Sequence, residues 1–160
     1  MKAAIVFAST HGTTEKVAQL LKENLNGDVK IINLKKDPKQ DITKYDTLII
    51  GGSIHAGSIQ QKVKQFIERN KNALTTKRLG LFLCCMHEGE EAQKQFETAY
   101  PEELRNASVS NGFLGGEFMF KKMNFFEKVM VKKVAGVTSD VSKIDVAAIK
   151  TFADKFNYFQ

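Results

Sequence analysis

Three short apolar runs of strand length restrict what this 160-residue chain can fold into. They read AAIVFA at 3–8, DTLIIGGS at 46–53 and RLGLFLCC at 78–85. A run that is apolar at nearly every position is typical of a strand buried on both faces, as in a parallel sheet covered by helices. We therefore predict that these runs form the centre of an α/β sheet.

Segments with helical periodicity alternate with the strand candidates. VKIINL at 29–34 and NGFLGGEFMF at 111–120 bring the strands to five, and helices are predicted over 14–25, 59–72, 88–99 and 121–135. A last helix starts near SKID, where Ser142 and Asp145 fit a capping box. The alternation predicts one doubly wound domain, residues 1–160, with parallel strands in the order 2-1-3-4-5 and a basic helix inserted after strand five.

Composition is ordinary for a globular protein, at 42% hydrophobic and 26% charged residues. No apolar run approaches the roughly 20 residues of a membrane span. The two cysteines, Cys84 and Cys85, are adjacent on a predicted strand and therefore point to opposite faces, which disfavours a disulfide between them. Buried free thiols suit the reducing cytoplasm, so we expect a cytoplasmic protein.

The net charge of +6 permits an anionic partner, such as an anionic lipid surface, a nucleic acid or an acidic small molecule. A well-solvated lysine-rich surface would account for it equally well. No basic, aromatic surface strand accompanies the charge, so we expect no nucleic-acid partner. No spacing of His, Cys or acidic residues is typical of metal ligands, and none predicts a metal.

Hydroxyl groups and a glycine follow the first predicted strand in S-T-H-G-T-T, at 9–14, and a helix begins at its end. Unpaired N–H groups and the positive end of the dipole make a helix N-terminus a phosphate site, and glycine lets the anion approach the backbone. The stretch lacks the lysine of a P-loop and the G-x-G-x-x-G spacing, which disfavours a nucleoside triphosphate or dinucleotide. In a doubly wound sheet the site lies at the strands' carboxyl ends, so loops 9–14, 52–58 and 86–90 should form it.

Three stretches of the sequence resemble those of a known protein superfamily. FASTHGTTEKVA resembles the FMN-phosphate loop of flavodoxins, T/S-x-T-G-x-T, with His11 in place of a threonine. YDTLIIGGSIHAG and GFLGGEFMFKKMNFFEKVMVKKVAG are similar to the menaquinone-dependent protoporphyrinogen oxidase branch of that superfamily. The resemblance implies a flavodoxin-like fold with FMN as cofactor.

The resemblance also implies which residues surround the flavin, although it names no catalytic residue. The cofactor-binding candidates are Ser9, Thr10, His11, Gly12, Thr13, Thr14, Ser53, Ile54, His55, Ala56, Gly57, Cys85, Met86, His87 and Gly89. Ordinary flavodoxins enclose the ring with Trp or Tyr, whereas this chain has no Trp. We therefore expect one ring face to stay open, which suits a flavin that meets a substrate. His55 and His87 could each instead be an exposed loop histidine.

The function implied by the resemblance is FMN-dependent dehydrogenation of protoporphyrinogen IX, a tetrapyrrole, with electrons passed to a membrane quinone. The alternative is a flavodoxin-like one-electron carrier that serves a protein redox partner. The reaction of an FMN domain does not follow from its fold, so a flavoprotein with another substrate also stays open.

The predicted helix 121–135 concentrates the charge of the chain, because residues 120–135 hold five lysines and one glutamate. A broad apolar stripe that includes Phe126 and Met130 should pack on the domain, leaving Phe125 and Val129 as a narrow ridge between lysines. Such a ridge suits an anionic membrane surface at the inner face of the cell membrane, although an ordinary surface helix would show it too. The candidate substrate or membrane residues are Lys121, Lys122, Phe125, Lys128, Val129, Lys132 and Lys133, of which Lys121 and Lys122 are expected to attract propionates.

Overall fold

The computed structural model describes residues 1–55 and 57–158, in which a parallel sheet lies between two groups of helices. The strands are β1 (Lys2–Phe7), β2 (Asp28–Asn33), β3 (Thr47–His55), β4 (Ser58–Ile59), β5 (Arg78–Cys84), β6 (Ser110–Phe113), β7 (Glu117–Phe118) and β8 (Val141–Ser142). The helices are α1 (Thr13–Asn24), α2 (Gln61–Leu74), α3 (Gly89–Ala99), α4 (Glu102–Ala107), α5 (Phe125–Ala135) and α6 (Val146–Asn157), with a 3-10 turn at Phe120–Lys122.

The parallel strands lie in the order β2-β1-β3-β5-β6, and the short β4 pairs antiparallel with the end of β3. This is the predicted order 2-1-3-4-5 once β4 is set aside, so the predicted fold is confirmed. The central strands are buried as expected, since β1 is fully covered from Ala3 to Phe7. Register aligns Phe7 with Gly51 and Ser53 with Cys84, which brings the carboxyl ends of β1, β3 and β5 to one edge.

Two apolar cores cover the two faces of the sheet. One packs α1 and α6 on it through residues such as Leu21 and Phe152, and the other packs α2, α3 and α4 through residues such as Phe66 and Phe96. Cys84 belongs to the first core and Cys85 to the second, and both thiols are free, as their positions on a strand predicted.

Residues 111–120 were predicted to form one strand, but the structure divides them between β6 and β7. The chain turns at Gly115, whose φ of 75° is costly for other residues, and a Cβ there would collide with the Lys143 carbonyl. Strand β7 then pairs antiparallel with β8, and together they carry an insert of residues 119–140. The predicted helix 121–135 is accordingly a 3-10 turn followed by α5, which begins at Phe125 behind an Asn124 cap.

Two helix starts and one short helix also differ from prediction. Asp145 is itself the N-cap of α6 and accepts a hydrogen bond from the Ala148 N–H, so the capping box with Ser142 was wrong. Ser142 lies on β8, where its hydroxyl donates to Glu117. The helix predicted over 59–72 begins at Gln61, because β3 and β4 form a hairpin before it. The short α4 was not predicted.

The Tyr100 hydroxyl joins α3 to the centre of the sheet. The ring is fully buried, and the hydroxyl donates to the Phe82 carbonyl at 2.5 Å, with the Ile50 carbonyl at 3.4 Å.

Replacing Tyr100 with Phe should lower the free energy of unfolding by about 1 kcal/mol, because a buried hydrogen bond is lost while the ring stays. Denaturant titration measures this, and Tyr158→Phe, on a ring 79% exposed, is the matched control. Equal stability of the two variants would contradict the assignment.

Candidate functional site

The loop between β1 and α1 forms a cup of backbone N–H groups. Gly12 is the N-cap of α1 and has a φ of 99°, a left-handed conformation that favours glycine. Its N–H donates to the Ser9 hydroxyl at 3.0 Å, which fixes the turn. Because glycine has no side chain, Gly12 cannot cap α1 with a side-chain hydrogen bond. The N–H groups of the first turn of a helix also have no partners inside the helix. The turn therefore offers donors and a positive dipole end to an anion.

The hydroxyl groups of this loop differ in accessibility. Thr10 is exposed, whereas Ser9 and Thr13 are largely covered. The Thr14 hydroxyl is buried, and no nitrogen or oxygen within the described part of the chain pairs with it. It lies beside the Cys84 thiol, whose pKa burial raises to about 12, so that this thiol stays protonated. Thr10 therefore carries the most accessible hydroxyl of the predicted phosphate loop.

Two lysine ammonium groups flank the loop from outside it. Lys35 Nζ donates to Thr10 Oγ1 at 3.1 Å, and Lys122 Nζ donates to the His11 carbonyl at 3.3 Å. Lys122 Nζ also lies 3.6 Å from the place a Cβ would take at Gly12, so it stands over the turn. Lys35 was missed because it follows β2, away from every motif. Hydroxyls, unpaired N–H groups and two cations together fit a phosphate dianion.

The negative charge of Glu117, near this loop, is balanced by Lys16. Glu117 accepts hydrogen bonds from Lys16 at 2.8 Å and from Ser142 at 2.7 Å. Burial alone would raise the pKa of Glu117, but these hydrogen bonds and the Lys16 charge outweigh burial and lower it. Lys16 and Glu117 thus compensate each other, whereas in the described part of the chain no carboxylate pairs with Lys35 or Lys122.

The second predicted loop is the hairpin that ends β3. The Ser53 N–H donates to Gln60 Oε1 at 3.0 Å, Gln60 Nε2 donates to the Ser53 hydroxyl at 2.6 Å, and that hydroxyl lies 3.2 Å from His55 Nε2. Ile54 pairs with Ile59, and Gly57 turns the chain with a φ of 77°. The candidate Ala56 lies outside the described residues. The hairpin thus holds His55 at the carboxyl edge of the sheet.

His55 meets the first loop through His11. Their ring centroids are 5.7 Å apart, and His11 Nε2 lies 3.2 Å from Glu127 Oε1 on α5. The Asn124 N–H bond holds the pKa of Glu127 below its usual range, and the His11 contact adds to this. Burial lowers the pKa of His55, and the nearby His11 lowers it further. Glu127 was not predicted as a site residue, because in the sequence it is only the one glutamate among five lysines of segment 120–135.

The third predicted loop follows β5, next to the end of β3, and contacts both the chain after β6 and α3. The Cys85 N–H donates to the Gly115 carbonyl at 3.1 Å, and Met86 is half-buried. His87 is exposed, and its Nδ1 lies 3.1 Å from Glu91 one turn along α3, so it does not join His11 and His55. Gly89 begins α3 with a φ of 60°. The loop therefore borders the edge without adding a charged group to the cup.

Helix α5 turns its polar side to the domain. Glu127 contacts His11, and Lys128 Nζ lies 5.6 Å from the centroid of the Phe120 ring. The prediction that the broad apolar stripe packs on the domain was wrong, because Phe126 and Met130 of that stripe are 79% and 54% exposed. Five large apolar side chains are 49 to 79% exposed, namely Phe125, Phe126, Val129, Met130 and Val134. Among the described residues, no helix is long and apolar enough to cross a membrane.

The family profile and the solved structures that match this chain both come from flavodoxin-like proteins. The profile of the flavodoxin domain matches residues 4–145. Flavodoxin 1 from Bacillus cereus superposes with a TM-score of 0.62 at 18% identity, covering 98% of this chain and 97% of that chain. Flavodoxin 2 from the same organism gives 0.60 at 20% identity, with the same coverage. The Flv1 flavodiiron core from Synechocystis sp. PCC6803 gives 0.57 at 17% identity, over 96% of this chain and 34% of that one. These structures share the fold, and no curated protein matches the chain in sequence.

The lowered pKa of His55 makes stability depend on pH. Above its ordinary pKa of 6.5 the imidazole is neutral in both the folded and the unfolded chain. Below 6.5 the unfolded chain takes up a proton that the folded site resists, so stability falls with pH. The difference in free energy of unfolding between about pH 7.5 and about pH 5.5 should therefore be smaller in His55→Gln than in the wild type. The free energy of unfolding is measured by denaturant titration at each pH. If it changes with pH equally in the wild type and in His55→Gln, burial of His55 does not resist protonation.

Proposed function

The chain belongs to the flavodoxin domain family, and on that premise we propose that it holds FMN at loop 9–14 and transfers electrons. FMN supplies the redox chemistry, because its ring takes up and releases electrons reversibly, while the protein positions it. The observation that carries the proposal is the left-handed turn at Gly12 at the open N-terminus of α1, with the Lys122 ammonium group over the turn and that of Lys35 at Thr10. This arrangement suits the phosphate dianion at one end of FMN.

Different residues of the chain would contact the phosphate and the ring of FMN. The first-turn N–H groups, the Thr10 hydroxyl, Lys35 and Lys122 are suited to hold the phosphate. Ser53, Ile54, His55 and Gly57 would border one side of the ring, and Cys85, Met86, His87 and Gly89 the other. Neither described loop offers a Trp or Tyr to enclose the ring. The site would thus bind mainly through the phosphate end and leave part of the ring accessible.

Electron carriage to a protein redox partner in the cytoplasm is the function that membership of the family favours. Two flavodoxins from Bacillus cereus share the fold with this chain over 97% of their own length. The accessible ring edge beside His55 is where such a partner would approach. The reaction of the flavin is therefore proposed as electron transfer between proteins.

A second candidate function is dehydrogenation of a tetrapyrrole, protoporphyrinogen IX, with electrons passed to a membrane quinone. The observation that favours it is α5, which exposes Phe125 and Phe126 beside Lys132 and Lys133 at the site. Exposed apolar residues among lysines suit an anionic membrane surface at the inner face of the cell membrane, where a quinone would be met. Lys121 would be free to attract a propionate, since Lys122 lies over the phosphate loop.

Phosphate recognition by lysine gives the proposal a direct test. Replacing Lys35 or Lys122 with Gln should weaken FMN binding about tenfold each, because each loses a charge-assisted contact of roughly 1.5 kcal/mol. Riboflavin, which has the same ring without the phosphate, should bind both variants as it binds the wild type. Titration of flavin fluorescence measures both affinities.

Lys121→Gln is the matched control, since it removes the same charge from the neighbouring position on the insert. It should change FMN binding little. Failure of the wild type to bind FMN would contradict the proposed function itself. Equal losses in FMN and riboflavin affinity would instead show that the lysines act on the fold and not on the phosphate.

The membrane-quinone candidate predicts a dependence on the exposed face of α5. Replacing Phe125 and Phe126 together with Ser should lower the rate of protoporphyrinogen oxidation at least about tenfold when menaquinone resides in anionic vesicles, since burying each ring in lipid is worth roughly 1.5–3 kcal/mol. The rate with a water-soluble quinone analogue should stay unchanged. Both rates are measured anaerobically from the absorbance of the porphyrin product.

Val146→Ser with Tyr158→Ser is the control pair, because both side chains are exposed and lie on or next to α6 instead of on α5. This pair should leave the vesicle rate unchanged. A wild type that fails to oxidise protoporphyrinogen with either quinone eliminates the dehydrogenase and leaves the electron carrier.

A further inference from the structure

We propose that His11, His55 and Glu127 form a binding site for a divalent transition-metal ion, for which Zn²⁺ is the natural probe. One side chain comes from loop 9–14, one from the end of β3 and one from α5. Their potential ligand atoms all lie within 4.8 Å of one another. Three segments far apart in sequence thus bring two imidazoles and a carboxylate to one point, which no spacing in the sequence indicates.

The geometry of the cluster suits one ion. Ligand atoms at about 2.0–2.2 Å from a tetrahedral zinc ion are separated by roughly 3.3 Å. His11 Nε2 and Glu127 Oε1 already lie 3.2 Å apart. The tilted arrangement of the His11 and His55 rings, at 50°, lets nitrogens from both rings approach a common point without the rings stacking. Bringing the third ligand into range requires roughly 1.5 Å of side-chain movement at the end of a hairpin.

Groups around the cluster would fix the orientation of the ligands, as partners behind metal ligands usually do. The Asn124 N–H donates to Glu127 Oε2 at 2.8 Å, which leaves Oε1 for the ion. The Ser53 hydroxyl, held by Gln60, lies 3.2 Å from His55 Nε2, which leaves Nδ1. All three ligand side chains are half-buried, so they are shielded from bulk water yet reachable.

The ligand set narrows the class of ion. Two imidazole nitrogens and one carboxylate favour Zn²⁺ and its first-row neighbours over Mg²⁺ and Ca²⁺, which take oxygen ligands. Three protein ligands leave a fourth position for water or a phosphate oxygen. An ion there would also tie α5 to loop 9–14, because it would bridge Glu127 to both histidines. The inference does not depend on the proposed FMN site, since it concerns side chains and a metal alone.

The test is calorimetric titration of the tag-free full chain with ZnCl₂, supported by the visible spectrum of the Co²⁺ complex. We expect saturable binding of one ion per chain, and a loss of affinity of at least about tenfold in each of His11→Asn, His55→Asn and Glu127→Gln. His87→Asn and Glu91→Gln are matched controls, because these residues form a separate His–Glu pair on α3. Both controls should keep the affinity of the wild type.

Three results would overturn the proposal. These are the absence of saturable binding at micromolar metal, the same loss in the controls as in the cluster variants, and a thiolate charge-transfer band in the Co²⁺ spectrum, which would place the ion at Cys84 or Cys85. The spectrum is recorded on the wild type, so it decides the ligand type even where a variant folds poorly. Thermal unfolding of each variant checks that a lost affinity reflects a lost ligand.

Discussion

The left-handed turn at Gly12 is the constraint on which the site depends. It ends β1 and starts α1 within five residues, so the first-turn N–H groups of α1 open at the carboxyl edge of the sheet. The same turn presents the His11 carbonyl to Lys122 and the His11 ring to Glu127. The insert after β6 is therefore attached to the phosphate loop through the residue that replaces a threonine of the flavodoxin pattern.

The sheet and the position of the site could be predicted because they rest on local signals. Uninterrupted apolar runs identify β1, β3 and β5, and the glycine among hydroxyls identifies the loop. Lys35 and Glu127 could not be found in this way, because each reaches the loop from a segment distant in sequence. The break at Gly115 also escaped prediction, since an apolar run with glycines resembles one weak strand until the Lys143 carbonyl is seen to occupy the place of a side chain.

The orientation of α5 shows the limit of a helical wheel. The wheel identifies which side chains share a stripe, but two apolar stripes compete and packing decides between them. The Glu127 contact with His11 brings a polar side chain of α5 to the domain, while large apolar residues such as Phe126 and Met130 face solvent. The proposed second function is argued from these exposed apolar side chains of α5.

The central claim is that the turn at Gly12 holds the phosphate of FMN as a dianion. Phosphorus-31 NMR of the bound cofactor tests it directly, because the resonance of a phosphate monoester shifts as it gains a proton near its second pKa of about 6. The account predicts one bound resonance that stays constant through this pH range, since the N–H groups, Lys35 and Lys122 stabilise the dianion. A bound resonance that titrates as free FMN does would contradict it, because the phosphate would then lie in solvent.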